Sequence, residues 1–113
     1  MEYRQLTDEA LSFEVHKALD PRANKLEGPS HDQRVISEGG HFLGHFTNYC
    51  DRTENTFDLL YENEMFLHPL NNPMYPDCWE ARENRCEGVS AIDENPLRAI
   101  CVCFLKIKQA KAA

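Results

Sequence analysis

The sequence has no long apolar run, no secretion signal and no basic cluster, and each absence excludes a class of protein. Among its 113 residues there is no stretch of about 18 apolar residues, the length that a membrane-spanning helix needs. The N-terminus, MEYRQLTDEA, is acidic and polar, whereas a signal peptide begins basic and continues apolar. We therefore expect a soluble, cytoplasmic protein, and the length predicts a single domain over residues 1–113.

Motifs for catalysis and metal binding are also missing. The sequence contains no G-x-S-x-G nucleophile elbow, no G-x-x-x-x-G-K-[ST] phosphate loop and no G-x-G-x-x-G turn. His41 and His45 have the i, i+4 spacing of a helical ligand pair, which Cys50 and His68 could join. The glycines around them disfavour a helix, and the glutamate of H-E-x-x-H is absent. We predict a protein that is not an enzyme and has no metal or cofactor.

Basic side chains are few, and the acidic excess is unevenly placed. Residues 1–64 hold 13 acidic and 6 basic side chains, whereas residues 65–113 hold 6 of each, so the net charge of −7 lies in the first part. Binding to phosphates requires a basic patch, so we expect no direct binding to nucleic acid. A protein partner with a basic surface fits better, although the acidity could serve solubility alone.

Three segments carry helix signals. In the first, LTDEALSFEVHKALDP, Thr7 is a favoured cap and an apolar face follows at Leu11, Val15, Ala18 and Leu19. The second runs from a cap at Asp51 or Thr53 to about Glu62, with its apolar face at Phe57, Leu60 and Tyr61. The third, ENPLRAICVCFLKIKQAKAA, begins with Asn95 as cap and Pro96 in the first turn.

Strand signals are shorter. EMFLHPL and DCWEA, separated by the turn-forming NNPMYP, predict an antiparallel pair, and RENRCEGVSAIDE predicts a polar loop. Residues 22–47 form a loop-rich segment that the sequence determines poorly, with one short strand at RVIS. Together the elements predict an α+β fold, a small single domain of about three helices packed on a short antiparallel sheet.

The second helix carries a row of carboxylates. Glu54, Asp58 and Glu62 recur every four residues, which places them along one side of the helix. Repulsion between such neighbours costs about 0.2–0.5 kcal/mol per pair. The row suits docking to a basic groove, including one that holds nucleic-acid phosphates, and the alternative is an ordinary solvated face.

The five cysteines predict packing and not chemistry. An odd number without a secretion signal indicates reduced thiols. Cys101 and Cys103 are two residues apart and so differ by about 200° in direction on a helix, which prevents them from binding one ion together. Apolar residues surround the helix, so we expect it to be covered on several sides, and a homodimer through residues 97–107 is one way to do so.

Two single residues stand out. Arg98 is a cation in the first turn of the third helix, where the helix dipole disfavours it, and it can pair with Asp93 or Glu94. Trp79 is the only tryptophan, and it can close the core. Because Trp and Arg are frequent anchors of protein interfaces, the alternative for both is a recognition surface.

Four ordered blocks resemble the NinX-like family, small phage and prophage proteins with a domain of unknown function. The blocks are YRQLTDEALSFEVHKAL, NYCDRTENTFDLLYENEMFLHPL, CWEA and ENPLRAICVCFLKIKQ. The matching positions are Tyr49, Cys50, Glu62, Asn63, Trp79 and Asn95 to Ala99. Residues 22–47 lie outside the resemblance.

The resemblance implies a phage accessory protein that acts in the bacterial cytoplasm. Such proteins commonly bind and redirect or inhibit a host component, so we predict a non-enzymatic binder of a host protein in host takeover or anti-defence, for example anti-CRISPR-like. Its candidate contacts are Glu54, Asp58, Glu62, Trp79 and Arg98. The alternative is a small-ligand or nucleotide-binding domain that receives an anion at the N-terminus of the last helix.

Overall fold

Residues 3–85 and 88–112, which the computed structural model describes, form three α-helices and two three-stranded antiparallel sheets. A short 3-10 helix, Tyr3–Gln5, precedes the first α-helix. The order along the chain is α1 (Asp8–Leu19), β1 (Ala23–Glu27), β2 (Arg34–Ser37), β3 (Phe42–His45), α2 (Thr53–Glu62), β4 (Met65–Leu70), β5 (Cys78–Glu83), β6 (Ser90–Asp93) and α3 (Pro96–Ala112). The predicted α+β class is confirmed, with two sheets where one was expected.

The main core forms between α3 and the sheet of β4, β5 and β6. β5 is the central strand and pairs antiparallel with β4 and with β6, which confirms the predicted pair. α3 packs on β5 and β6 on one side and on α1 and α2 on others. Its apolar residues therefore face several neighbours at once, and Ile100, Cys101, Cys103 and Phe104 are fully buried.

Local capping signals fix the ends of α1 and α3. The Thr7 hydroxyl accepts a hydrogen bond from the Ala10 N–H at 3.1 Å, and the Asn95 side chain accepts one from the Leu97 N–H at 2.9 Å. Each bond satisfies an amide that has no partner inside the helix. Both predicted caps are confirmed.

α2 begins differently from the prediction. Arg52 occupies the cap position without a side-chain hydrogen bond, so neither Asp51 nor Thr53 caps the helix. Instead the buried Thr56 hydroxyl donates to the backbone carbonyls of Tyr49 and Arg52. This hydroxyl ties the first turn of α2 to the segment before it.

Residues 22–47, predicted to be loop-rich, contain the whole sheet of β1, β2 and β3. The predicted strand RVIS is β2, and it pairs antiparallel on both sides, with register shifts at Ala23/Lys25 and Val35/Ile36. Gly40 has φ of +87°, which a turn between β2 and β3 requires and other residues rarely adopt. The prediction missed β1 and β3, because short strands here are stabilised by pairing with each other, which their own sequences do not display.

The segment predicted as the loop RENRCEGVSAIDE also contains a strand, β6. Cys86 and Glu87 of this segment lie outside the described residues. β6 pairs with β5 from Trp79↔Asp93 to Arg82↔Ser90 without a register shift. Its four residues were too few to show an alternating pattern.

Candidate functional site

The exposed face of α2 carries the three predicted carboxylates. Glu54, Asp58 and Glu62 are all exposed, while Thr56 and Leu59 on the opposite side are buried. The helix is held in this orientation because it packs against α3 and β4. The prediction that the carboxylates lie in a row on an exposed face is confirmed.

An aromatic side chain lies among these carboxylates. Tyr61 is 73% exposed, so the prediction that it faces the core is wrong. The buried face is centred on Thr56 and Leu59, and Tyr61 follows Leu59 by two residues, which turns it to the other side. We call Glu54, Asp58, Tyr61 and Glu62 the α2 acidic surface.

The carboxylates of this surface have no basic partner among the residues that the structure describes. Within residues 3–85 and 88–112, no lysine, arginine or histidine side chain forms an ion pair with Glu54, Asp58 or Glu62. Like charges at i, i+4 repel, so a basic partner would relieve an unfavourable interaction as well as add a favourable one.

Arg98 is held by several groups of its own chain. Its guanidinium donates to Asp8 Oδ1 at 2.7 Å, to Asp93 Oδ2 at 3.4 Å and to the carbonyl of Leu6 at 3.0 Å. Burial lowers the pKa of Arg98, but the hydrogen bond to Asp8 and the charge of Asp93 outweigh it and raise the pKa. The predicted pairing with Asp93 is confirmed, and Arg98 also joins α3 to the chain before α1.

Trp79 lies half-buried on β5, opposite Pro69 on one side and Asp93 on the other. Its strand partner Asp93 is also the ion-pair partner of Arg98. The five predicted contact residues therefore fall into two groups: Glu54, Asp58 and Glu62 on α2, and Trp79 and Arg98 around Asp93.

The paired cysteines of α3 point to different neighbours, as the helical geometry predicted. The interaction between the thiols of Cys50 and Cys101 lowers the pKa of Cys50 and raises that of Cys101. On the other side, Cys103 Sγ lies 3.8 Å from the carbonyl of Val89, and burial raises its pKa to about 12. Both thiols of the C-x-C therefore stay protonated and serve packing.

A homodimer through residues 97–107 has little surface to use. Every residue from Ala99 to Leu105 is buried, and Ile107 is 1% exposed. These side chains are covered by α1, α2 and the sheet of β4 to β6. The burial argues against this dimer, because the apolar face that would drive it is already covered within one chain.

Metal-ligating side chains do not converge. In the described residues no three His, Cys, Asp or Glu side chains are grouped so as to hold a metal ion. His68 is paired with Glu80 at 2.6 Å in the sheet, whereas Cys50 is buried against Cys101. Within the same residues, no helix has both the length and the apolar character that crossing a membrane requires.

Two cavities lie outside the α2 acidic surface. One, of about 470 Å³, is polar and includes His31, Asp32, His45 and Arg52 in its lining. His45 Nδ1 lies 3.6 Å from Asp32 Oδ1, but both side chains are mostly exposed, so water weakens this pair. The other cavity, of about 480 Å³, runs beside β6.

Comparison with known proteins adds no assignment. No protein-family model matches the sequence, and no curated protein matches it. The NinX-like resemblance and the phage origin that it implies therefore remain predictions.

Proposed function

We propose that this protein is a small non-enzymatic binding protein that docks its α2 acidic surface against a basic surface of a host protein. The observation that supports the proposal best is the exposure of Tyr61 among three carboxylates that form no ion pair within the described part of the chain. A carboxylate row gives electrostatic complementarity, and tyrosine is one of the residues that most often supply binding energy at interfaces.

The proposed partner is a bacterial protein whose basic groove ordinarily binds nucleic-acid phosphates. Three carboxylates spaced about one helical turn apart present a row of negative charge, which is complementary to a groove that binds the phosphates of a nucleic acid. Together with the resemblance to phage accessory proteins, this supports a role in host takeover or anti-defence, of the anti-CRISPR kind. The protein would act by occupying the groove.

The alternative, anion binding at the N-terminus of α3, has less support. Asn95 already accepts the hydrogen bond of the Leu97 N–H, and Arg98 already pairs with Asp8 and Asp93. An anion would have to displace these groups.

Affinity purification from an infected bacterium tests the proposal. The wild-type protein should capture a host protein whose binding weakens at high salt, because the attraction between exposed charges is screened. Asp58→Lys should weaken capture at least tenfold, about 1.4 kcal/mol. Glu38→Lys is the matched control: it makes the same charge change at another exposed position, in the turn after β2, and should weaken capture less than about twofold.

Tyr61→Ala separates the aromatic contact from the charges. It should weaken capture without changing the salt dependence, because it removes apolar contact area and leaves the carboxylates in place. Equal weakening by Asp58→Lys and Glu38→Lys would mean that only net charge matters, and capture of no host protein above background would count against the proposal as a whole.

A further inference from the structure

The outer edge of β6 carries backbone groups that pair with no strand in residues 3–85 and 88–112. The Glu83 N–H donates to the carbonyl of Val89 at 2.9 Å, which fixes the hydrogen-bonding pattern at the start of this ladder. Because bonded and non-bonded pairs alternate in an antiparallel ladder, Ala91 and Asp93 bond to β5. Ser90 and Ile92 therefore direct their N–H and C=O groups away from β5.

The position of Lys106 agrees with this pattern. Its Nζ donates to the Ser90 carbonyl at 2.9 Å, which requires that carbonyl to point outward from the sheet. Nothing in the described residues bonds to the outward N–H and C=O of Ile92. The outward groups of Ile92 are therefore free among the described residues, although the Ser90 carbonyl is occupied by Lys106, and free backbone donors and acceptors at a sheet edge are a template for another strand.

The cavity of about 480 Å³ lies along this edge. Its lining includes every residue from Ser90 to Glu94, together with Val102 and Lys106 of α3. Tyr75, in the connection between β4 and β5, contributes an aromatic wall. The edge therefore borders a recess in which Val102, on the α3 side of the sheet, and Tyr75 offer apolar contacts to a side chain.

The other sheet edges are less suited to pairing. On β4, the hydrogen bond from the Asn84 N–H to the Glu64 carbonyl sets which residues bond to β5 and which direct their backbone groups outward. Pro69 is one of the outward residues, and it has no N–H to offer to another strand. β1 and β3 each join β2 through a register shift, which disturbs the spacing of the groups on the sheet. β6 has neither a proline nor a shift.

We propose that the β6 edge binds an extended peptide of a partner protein as a fourth strand of the sheet. Lys106, next to Ser90, favours an acidic residue at that end of the strand, and the exposed Glu94 favours a basic one at the other end; Arg4 also lines the recess. Both strand pairs of this sheet are antiparallel, so we take the peptide as antiparallel to β6. Its N-terminal residue then lies beside Glu94 and its C-terminal residue beside Lys106, which gives the order basic, apolar, acidic. Tyr75, Val102 and Lys106 line the recess beside β6 and leave room for a single extended chain. The sheet edge of a second folded copy would fit less well, because it would bring the rest of that copy against these residues.

This surface is separate from the α2 acidic surface. α2 packs against β4, and β4 and β6 lie at opposite edges of the same sheet. Substitutions in one surface therefore leave the other intact, and the two can be tested separately.

Two capped peptides test the proposal, acetyl-Lys-Thr-Val-Thr-Glu-amide and its charge-swapped form, acetyl-Glu-Thr-Val-Thr-Lys-amide. Titrated into the ¹⁵N-labelled full chain, the first should shift the amide signal of Ile92 and slow its hydrogen exchange about tenfold or more at saturation. It should bind at least about threefold more tightly than the swapped peptide. Glu94→Lys should remove that preference, whereas Asp58→Lys should leave peptide binding unchanged.

N-methylated peptides show whether the backbone makes the contact. Methylation of alternate residues removes the donors on one edge of the peptide, so one set of alternate positions should abolish binding and the other should leave it within about twofold. Equal effects of the two sets, or no change at Ile92 with millimolar peptide, would overturn the proposal. So would a concentration-dependent dimer that protects Ile92 without peptide, because a second copy would then cover the edge.

Discussion

Replacement of Arg98 by methionine should destabilise the protein strongly, although the residue is one of the predicted contacts with a partner. Methionine keeps an unbranched apolar side chain of similar reach but removes the charge and all five donors of the guanidinium. The side chain of Arg98 is only 12% exposed, and its bonds reach Asp8, Asp93 and the carbonyl of Leu6.

The size of the loss follows from the exposure of each partner. The Asp8 side chain is 52% exposed, so that ion pair contributes about 0.5–1 kcal/mol. Asp93 is 21% exposed, and the bonds to it and to the Leu6 carbonyl are charge-assisted, each contributing about 1.5 kcal/mol. The free energy of unfolding should therefore fall by about 3.5–4 kcal/mol, which lowers Tm by roughly 15 °C for a domain of this size.

Urea unfolding, followed by far-ultraviolet circular dichroism and by the fluorescence of Trp79, measures this loss. Arg22→Met is the matched control, because Arg22 forms its ion pair with Asp20 while 73% exposed, so this variant should lose much less stability than Arg98→Met. If the two variants lose the same small amount, Arg98 does not join α3 to the N-terminal segment as the contacts indicate.

Two further predictions concern the interior. His16 accepts a hydrogen bond from the Thr47 N–H at 2.9 Å, and burial lowers its pKa, so the folded state favours the neutral ring. Its contribution should be complete above the ordinary histidine pKa of about 6.5 and decline as the pH falls to the lowered value. An NMR titration in which His16 titrates at or above 6.5 would contradict this. Phe104→Ala should lower the free energy of unfolding by about 3–5 kcal/mol, measured with urea, because Phe104 is fully buried. Phe66→Ala, at a side chain that is 42% exposed, should lower it by less than about 1.5 kcal/mol. Similar losses would show that burial does not separate the two sites.

The parts of the fold that could be predicted depend on local signals. Thr7 and Asn95 accept hydrogen bonds from amides two or three residues away, so the sequence near each helix start is sufficient to locate it. The sheet of β1 to β3 depends on partners across the sheet, such as Leu26↔Val35, and strands of four or five residues show too little alternation to reveal them.

In the candidate site, too, the features set by local spacing could be predicted and those set by tertiary contacts could not. The i, i+4 spacing of Glu54, Asp58 and Glu62 fixed their common face, but the direction of that face depends on what α2 packs against. The buried face of α2 includes a polar residue, Thr56, which an apolar pattern does not reveal. The prediction therefore placed Tyr61 on the buried face. Arg98 was predicted to pair with nearby Asp93, whereas its shorter bond to Asp8 spans 90 residues and could not be read locally.

The sheet of β1 to β3 packs separately from the main core, which affects where the protein tolerates substitutions and insertions. Its buried residues Ala23, Val35 and Ile36 are not members of the main core cluster, which joins α3 to its neighbours. Substitutions and insertions in this sheet therefore leave the packing around α3 largely intact. A fluorescent label or an affinity tag placed in the turn at Gly40 should therefore leave the two proposed binding surfaces intact, because neither surface includes a residue of this sheet.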